Sequence, residues 1–96
     1  MTALTVQHQP RTDDGAFVLM GDKQLGEMHY RRLGPKLINI DHTDVDDSLR
    51  GQGAGRKMLD AAVAWARETQ TQVKATCPYA KAQFEKDTSI RDVYEA

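Results

Sequence analysis

A mixed α/β sheet is the fold this chain predicts: an antiparallel meander continued by one strand-helix-strand parallel unit. Two observations lead to it. The first half alternates short β-rich runs with Gly, Pro and Asp turns, and from about residue 53 the apolar period lengthens to that of a helix. Between the halves lies Leu49-Arg50-Gly51-Gln52-Gly53-Ala54-Gly55-Arg56-Lys57, with glycine at alternate positions.

Residues 4–8 and 16–20 read as the first two strands, and Gly21-Asp22 turns the chain into a third over 24–30, giving a hairpin. Gly34-Pro35 opens a fourth strand over 36 to about 43, where Leu37, Ile38 and Ile40 have the apolar, β-branched character of a buried central strand. That strand feeds the glycine segment. Over 53–69, Met58, Ala62 and Trp65 fall one above another with Leu59, Val63 and Ala66 beside them, while Arg56, Lys57, Asp60, Arg67 and Glu68 are polar. This apolar face is expected to cover the sheet. Residues 72–76 make a short last strand, Pro78 starts a helix that runs to about residue 86, and residues 90–94 add one more turn. A helix between the last two strands implies that they pair in parallel. Phe17, Trp65 and Phe84 are expected in the core.

With 96 residues the chain is read as one domain, 1–96, with one modest core. Its 13 basic and 14 acidic residues nearly cancel, which argues against the broad electropositive footprint of a nucleic-acid binder. No run resembles a signal peptide or a membrane span, so the expected location is the cytoplasm. One cysteine and three scattered histidines make neither an internal disulfide nor a zinc spacing, and no metal is expected.

Glycines ahead of a helix let the backbone approach a ligand closely, and the helix aims its unpaired N–H groups and positive dipole end at the same spot. The pattern is an anion cradle suited to a phosphate or pyrophosphate. A nucleotide-triphosphate loop would need Gly-Lys-Ser/Thr, but Gly55 is followed by Arg56, Lys57 and Met58. A dinucleotide fingerprint would need glycine where Arg56 stands.

What remains is Arg-x-x-Gly-x-Gly at Arg50, Gly53 and Gly55, which resembles the pyrophosphate loop of the GCN5-related N-acetyltransferases. Its surroundings extend the likeness: the strand end His42-Thr43-Asp44-Val45, and the turn Cys77-Pro78-Tyr79 with Phe84-Glu85-Lys86 and Asp92-Val93-Tyr94 behind it. Over about residues 13–94 the chain is similar to a small subgroup of single-domain predicted acetyltransferases with His-Thr-x-Val and Cys-Pro-Tyr/Phe motifs. The resemblance implies a compact sheet whose fourth strand splays from its neighbour to form a coenzyme A cleft. It implies acetyl-CoA as cosubstrate, with His42, Thr43, Asp44 and Val45 along the pantetheine arm. Gly51, Gln52, Gly53, Ala54, Gly55 and Arg56 would hold the pyrophosphate by backbone N–H groups, with Arg50 or Arg56 adding a charge-assisted contact. The subgroup usually has His-Pro-Glu-Tyr after the Phe-Glu-Lys segment; this chain has Asp87-Thr88-Ser89-Ile90, so no catalytic role carries onto Asp87 or Thr88.

Acetyl transfer needs an unprotonated amine and a proton for the departing thiolate. Three residues are candidates. His42 is either the base for an ammonium substrate or a packed strand-end residue. Cys77, at a strand end before a helix, is a nucleophile, a proton donor or a small buried hydrophobe. For Tyr79 the resemblance implies the acid for the thiolate, and the alternative is a ring packed on the pantetheine arm or in the core. Asp41, Asp44, Asp46 and Asp47 are either an attraction for a cationic amine or a solvated turn. Two functions stay open: N-acetyl transfer to a small amine or an exposed protein lysine, and a coenzyme A or acyl-CoA binding module with regulatory duties. The sequence leaves the oligomeric state undetermined.

Overall fold

The computed structural model describes residues 4–49 and 51–95. Four strands, β1 (Thr5–Pro10), β2 (Asp14–Met20), β3 (Gln24–Gly34) and β4 (Leu37–Val45), form an antiparallel meander. A 3-10 turn (Asp47–Leu49) and the glycine segment lead into α1 (Ala54–Thr69), which crosses back so that β5 (Gln72–Ala75) pairs with β4 in parallel. α2 (Pro78–Lys86) and a second 3-10 turn (Thr88–Val93) follow. The sheet order is β1-β2-β3-β4-β5, the mixed α/β arrangement expected.

α1 buries Met58, Leu59, Ala62, Val63 and Ala66, spaced by one, three and four residues as one helical stripe must be. The stripe meets Phe17, Leu19, Met28, Tyr30, Ile38 and Ile40 from the sheet, and Ala80 and Phe84 of α2 join the same core. Trp65 packs against this core from its rim, with its ring edge-on to His8 at a centroid distance of 4.9 Å. His8 stacks on Phe17 at 4.2 Å and meets the Tyr30 hydroxyl through Nε2 at 2.7 Å. Among the described residues no helix covers the other face of the sheet. There Ala16 and Val18 are buried between Gln9 and His29 and between Gln7 and Glu27 in register.

The strands run longer than their apolar runs. β3 was expected over 24–30 and continues to Gly34 because its polar end is paired: the Arg32 N–H donates to the Asp13 carbonyl at 2.8 Å, and residues 31–34 pair with 37–39 of β4. β1 reaches Pro10 by pairing with Gly15. The final turn begins two residues earlier than expected because the Asp87 carboxylate accepts from both the backbone N–H and the hydroxyl of Ser89, a side-chain cap.

Candidate functional site

β4 has a partner on both edges only as far as Ile40. There the Ile40 carbonyl accepts from the N–H groups of both Thr76 and Cys77, at 3.0 Å each, and beyond it β4 pairs with β3 alone. β5 ends at Ala75 and the chain turns into α2, so residues 41–45 present an edge that β5 does not reach. The separation coincides with a bulge: Tyr30 faces Ile40 but His29 faces His42, leaving Asp41 as the extra residue.

The bulge decides which way the strand's side chains point. Alternation counted from inward-facing Ile40 would turn His42 toward the helices, but the extra residue reverses the parity. Thr43 and Val45 pair with Met28 and Gly26 on the helix-covered face; His42 and Asp44 pair with His29 and Glu27 on the open one. Thr43 and Val45 line a cavity of about 320 Å³ together with Leu49, Gly51, Gly53, Ala54, Gly55 and Tyr79. The side chains of His42 and Asp44 are exposed outside it. The four residues expected along one arm are thus divided between two faces. Asp44 instead borders a shallow pocket of about 150 Å³ with Glu27 and Asp46.

At one end of the cavity lies the glycine segment. Gly51 (φ 80°) and Gly53 (φ 71°) are left-handed, which side chains with a Cβ rarely adopt. A Cβ on either would meet no atom within 4 Å, so backbone conformation rather than crowding requires glycine there. α1 begins without a side-chain cap on Gly53, leaving the N–H groups of its first turn directed outward. Arg50 lies outside the described residues. Gly55 is the tight position, since a Cβ there would stand 3.0 Å from the Tyr79 ring.

Cys77 precedes α2 and is 4% exposed, with its thiol 3.2 Å from the hydroxyl of Thr43, a residue of the cavity wall, across the split between β4 and β5. Burial pushes the Tyr79 phenol above its ordinary pKa, with the Arg56 charge acting in the opposite direction.

Arg56 is employed differently from the expected pyrophosphate contact. Its guanidinium donates to Asp60 at 2.8 Å, to Gln83 at 3.0 Å and to Asp87 at 2.5 Å, so it ties the first turn of α1 to the end of α2. The hydrogen bond to Asp60, then that to Asp87, raises its own pKa. Asp46 caps the 3-10 turn by accepting from the Ser48 N–H at 2.9 Å, which lowers its pKa, and Asp41 meets His29 Nδ1 at 2.7 Å.

Sequence reasoning missed Leu49 as a cavity wall and the ion cluster Asp14-His29-Asp41 on the open face. No local signal marks that cluster, because its members are 12 and 15 residues apart and meet only through strand register. No group of three or more His, Cys, Asp or Glu placed to hold a metal ion occurs among the described residues. No helix among them is long and apolar enough to cross a membrane.

A cavity between a splayed strand and a glycine-initiated helix defines a class, and comparison with known proteins gives the same answer. Residues 16–93 match the family model of the GCN5-related N-acetyl-transferases. A GCN5-like protein from Staphylococcus aureus, solved by NMR, is 38% identical with a TM-score of 0.71, covering 94% of this chain and 88% of its own. Protein NATD1 from Bos taurus is 25% identical over 92 residues, 96% of this chain and 80% of that protein. An aminoglycoside N-acetyltransferase, AAC(6')-Iy in complex with CoA, shares the fold at a TM-score of 0.56 and 14% identity, with 90% of this chain and 62% of that one covered. The chain belongs to the GCN5-related N-acetyltransferase family, and it is an N-acetyltransferase.

Proposed function

We propose that this protein binds acetyl-CoA in the cavity beside β4 and transfers its acetyl group to a primary amine, on a small molecule or on a protein lysine. The observation that carries the reading is the convergence of two left-handed glycines, an uncapped helix start and an unpaired strand edge on one cavity. The cradle fits a pyrophosphate, because Gly51 and Gly53 leave open the space a Cβ would fill. The edge of residues 41–45 fits an amide-bearing arm, which can complete the ladder that β5 abandons. CoA in the fold relative AAC(6')-Iy supports the same ligand class.

Acetyl-CoA supplies the thioester; the protein supplies position and protons. The first turn of α1 holds the phosphates, with Gly55 letting the Tyr79 ring close the wall. Tyr79 keeps its proton through neutral pH because burial raises its pKa, so it donates to the departing thiolate. Cys77, buried and engaged with Thr43, packs the apex of the split and forms no acyl intermediate. The acceptor approaches from the open face, where the Asp44-Glu27-Asp46 pocket suits a cation and His42 is exposed to take its proton.

The test is incubation with acetyl-CoA and pooled amines or lysine peptides. Release of free thiol with an acetylated product is expected, and tight binding of acetyl-CoA with no turnover would make the protein a coenzyme-binding module. Acetyl-CoA alone should leave the intact mass unchanged; an adduct labile to hydroxylamine and absent from Cys77→Ala would instead establish Cys77 as a nucleophile.

A further inference from the structure

The proposed chemistry leaves one charged cluster on the open face unused. His29 on β3 stands between Asp41 of β4 and Asp14 of β2, with Nδ1 2.7 Å from Asp41 Oδ1 and Nε2 2.8 Å from Asp14 Oδ2. An ionised carboxylate only accepts hydrogen bonds, so with both aspartates ionised the two contacts are satisfied together when both ring nitrogens carry hydrogen, in the imidazolium form. Asp14 is anchored in turn by Arg11 at 2.8 Å. Three of the meander's four strands, β2, β3 and β4, are therefore bridged, and the bridge engages Asp41, the residue that the bulge removes from the ladder.

We propose that His29 is a positioning residue for acetyl transfer: by holding Asp41 to Asp14 it fixes the bulge of β4, and with it the inward aim of Thr43 and Val45 along the coenzyme's edge. This rests on the cavity being the coenzyme A site. The competing arrangement is a one-residue slip in register, which would turn His42 and Asp44 inward and Thr43 and Val45 out. The Thr43–Cys77 contact opposes that slip from the covered side, and the His29–Asp41 pair opposes it from the open side. The charged and titratable groups facing His29 are Glu27 and Arg31 along β3, Asp41 and His42 on β4, and Asp14 on β2 with Arg11 beyond it. The hydrogen bond to Asp41, then that to Asp14, raises the His29 pKa. The clasp is therefore complete at pH below the ordinary histidine value and loses one donor as pH rises through the raised one.

Coenzyme A alone is the probe, titrated calorimetrically into the full chain and its variants, with backbone amide spectra recorded in parallel. His29→Leu and Asp41→Asn should raise Kd by about tenfold, and His29→Gln, which keeps one donor, by less. The amide shifts should concentrate at residues 41–45. Val18→Ala loosens the same face without touching the clasp, and should leave Kd within about twofold of the parent. Parent Kd should also rise with pH through the His29 titration; subtracting the His29→Gln profile removes the coenzyme's own ionisation. Parent-like affinity and unshifted amides at 41–45 in His29→Leu would overturn the proposal, as would a Val18→Ala defect of equal size. If coenzyme A fails to bind the parent protein, the reading of the cavity falls, and the amide shifts at 41–45 alone decide whether His29 holds the bulge.

Discussion

The two faces of the sheet are built from the same five strands and differ in almost everything else. On the covered face Phe17, Met28, Tyr30, Ile38 and Ile40 lie against α1, and the cavity beside β4 opens at the end of that layer. On the other, Glu27, His29, Arg31, His42 and Asp44 meet water. Packing sets the position of the covered side, while ion pairs and register set the open side. β4 belongs to both, and its bulge assigns each residue to one or the other. A substitution should therefore act through volume on the first face and through charge on the second.

The largest expected effect breaks the covered face. A Cβ on Gly15 would lie 2.4 Å from the Tyr30 hydroxyl, and Tyr30 cannot retreat because His8, Phe17 and Trp65 surround its ring. Gly15→Ala should cost about 3 kcal/mol, the upper end for overpacking, read by urea unfolding. Gly55→Ala makes a similar approach to Tyr79, but that ring borders an open cavity and can move. Its cost should be about 1 kcal/mol or less in stability, showing instead as weaker coenzyme A binding.

Next is the cradle. Gly53→Val forces a β-branched residue into a left-handed backbone and should reduce coenzyme A affinity by about tenfold or more. Gln52→Ala should do much less, because only the backbone of Gln52 serves the cradle. Gly53→Asn sharpens the comparison, since asparagine tolerates that backbone: helix content should persist while binding falls. Unchanged calorimetric affinity in a folded Gly53→Val variant would remove the assignment.

The two faces also titrate in opposite senses. Burial lowers the folded pKa of His8 on the covered face, so its stabilising effect is present above about pH 6.5 and is lost as pH falls below that, when the unfolded chain binds the proton first. Carboxylate hydrogen bonds raise that of His29 on the open face, so its contribution is full below about pH 6.5 and is lost as pH rises through the raised value. Asp14, held at about 2 by Arg11 and His29, adds stability that is lost between its ordinary carboxylate pKa and about 2. In unfolding free energies measured against pH, His8→Phe should flatten the slope just below pH 6.5 and His29→Gln the slope above it. Slopes of the same sign at both sites would erase the contrast.

These differences also mark how far the sequence could be read. The element order was legible because the period changes at the glycine segment and turn residues punctuate the strands. The glycine segment ahead of α1 was legible because glycine spacing before a helix is a local signal. What escaped depended on register and on distant partners. The ties of Arg56 beyond Asp60 were not legible, because Gln83 and Asp87 lie 27 and 31 residues away. That His42 faces away from Cys77 and Tyr79 was not legible, because nothing in Ile-Asp-His-Thr announces that Asp41 is bulged. The bulge separates one candidate catalytic residue from the other two.

That separation carries the last and smallest prediction, in the pH dependence of turnover. Tyr79, inside the cavity with a raised pKa, should impose a fall in rate only at alkaline pH, near or above the ordinary tyrosine value of about 10, and Tyr79→Phe should remove it while lowering the plateau. His42, on the open face, should shape only the acid limb, and His42→Gln should flatten that rise without altering coenzyme A affinity, since its side chain lies outside the cavity. The acceptor's own deprotonation produces a similar rise, so the profile must be repeated with an amine of different pKa. A limb that follows the amine and survives His42→Gln would leave His42 without a proton-transfer role. The open face would then contribute recognition and strand geometry, and proton management would rest with Tyr79 and solvent.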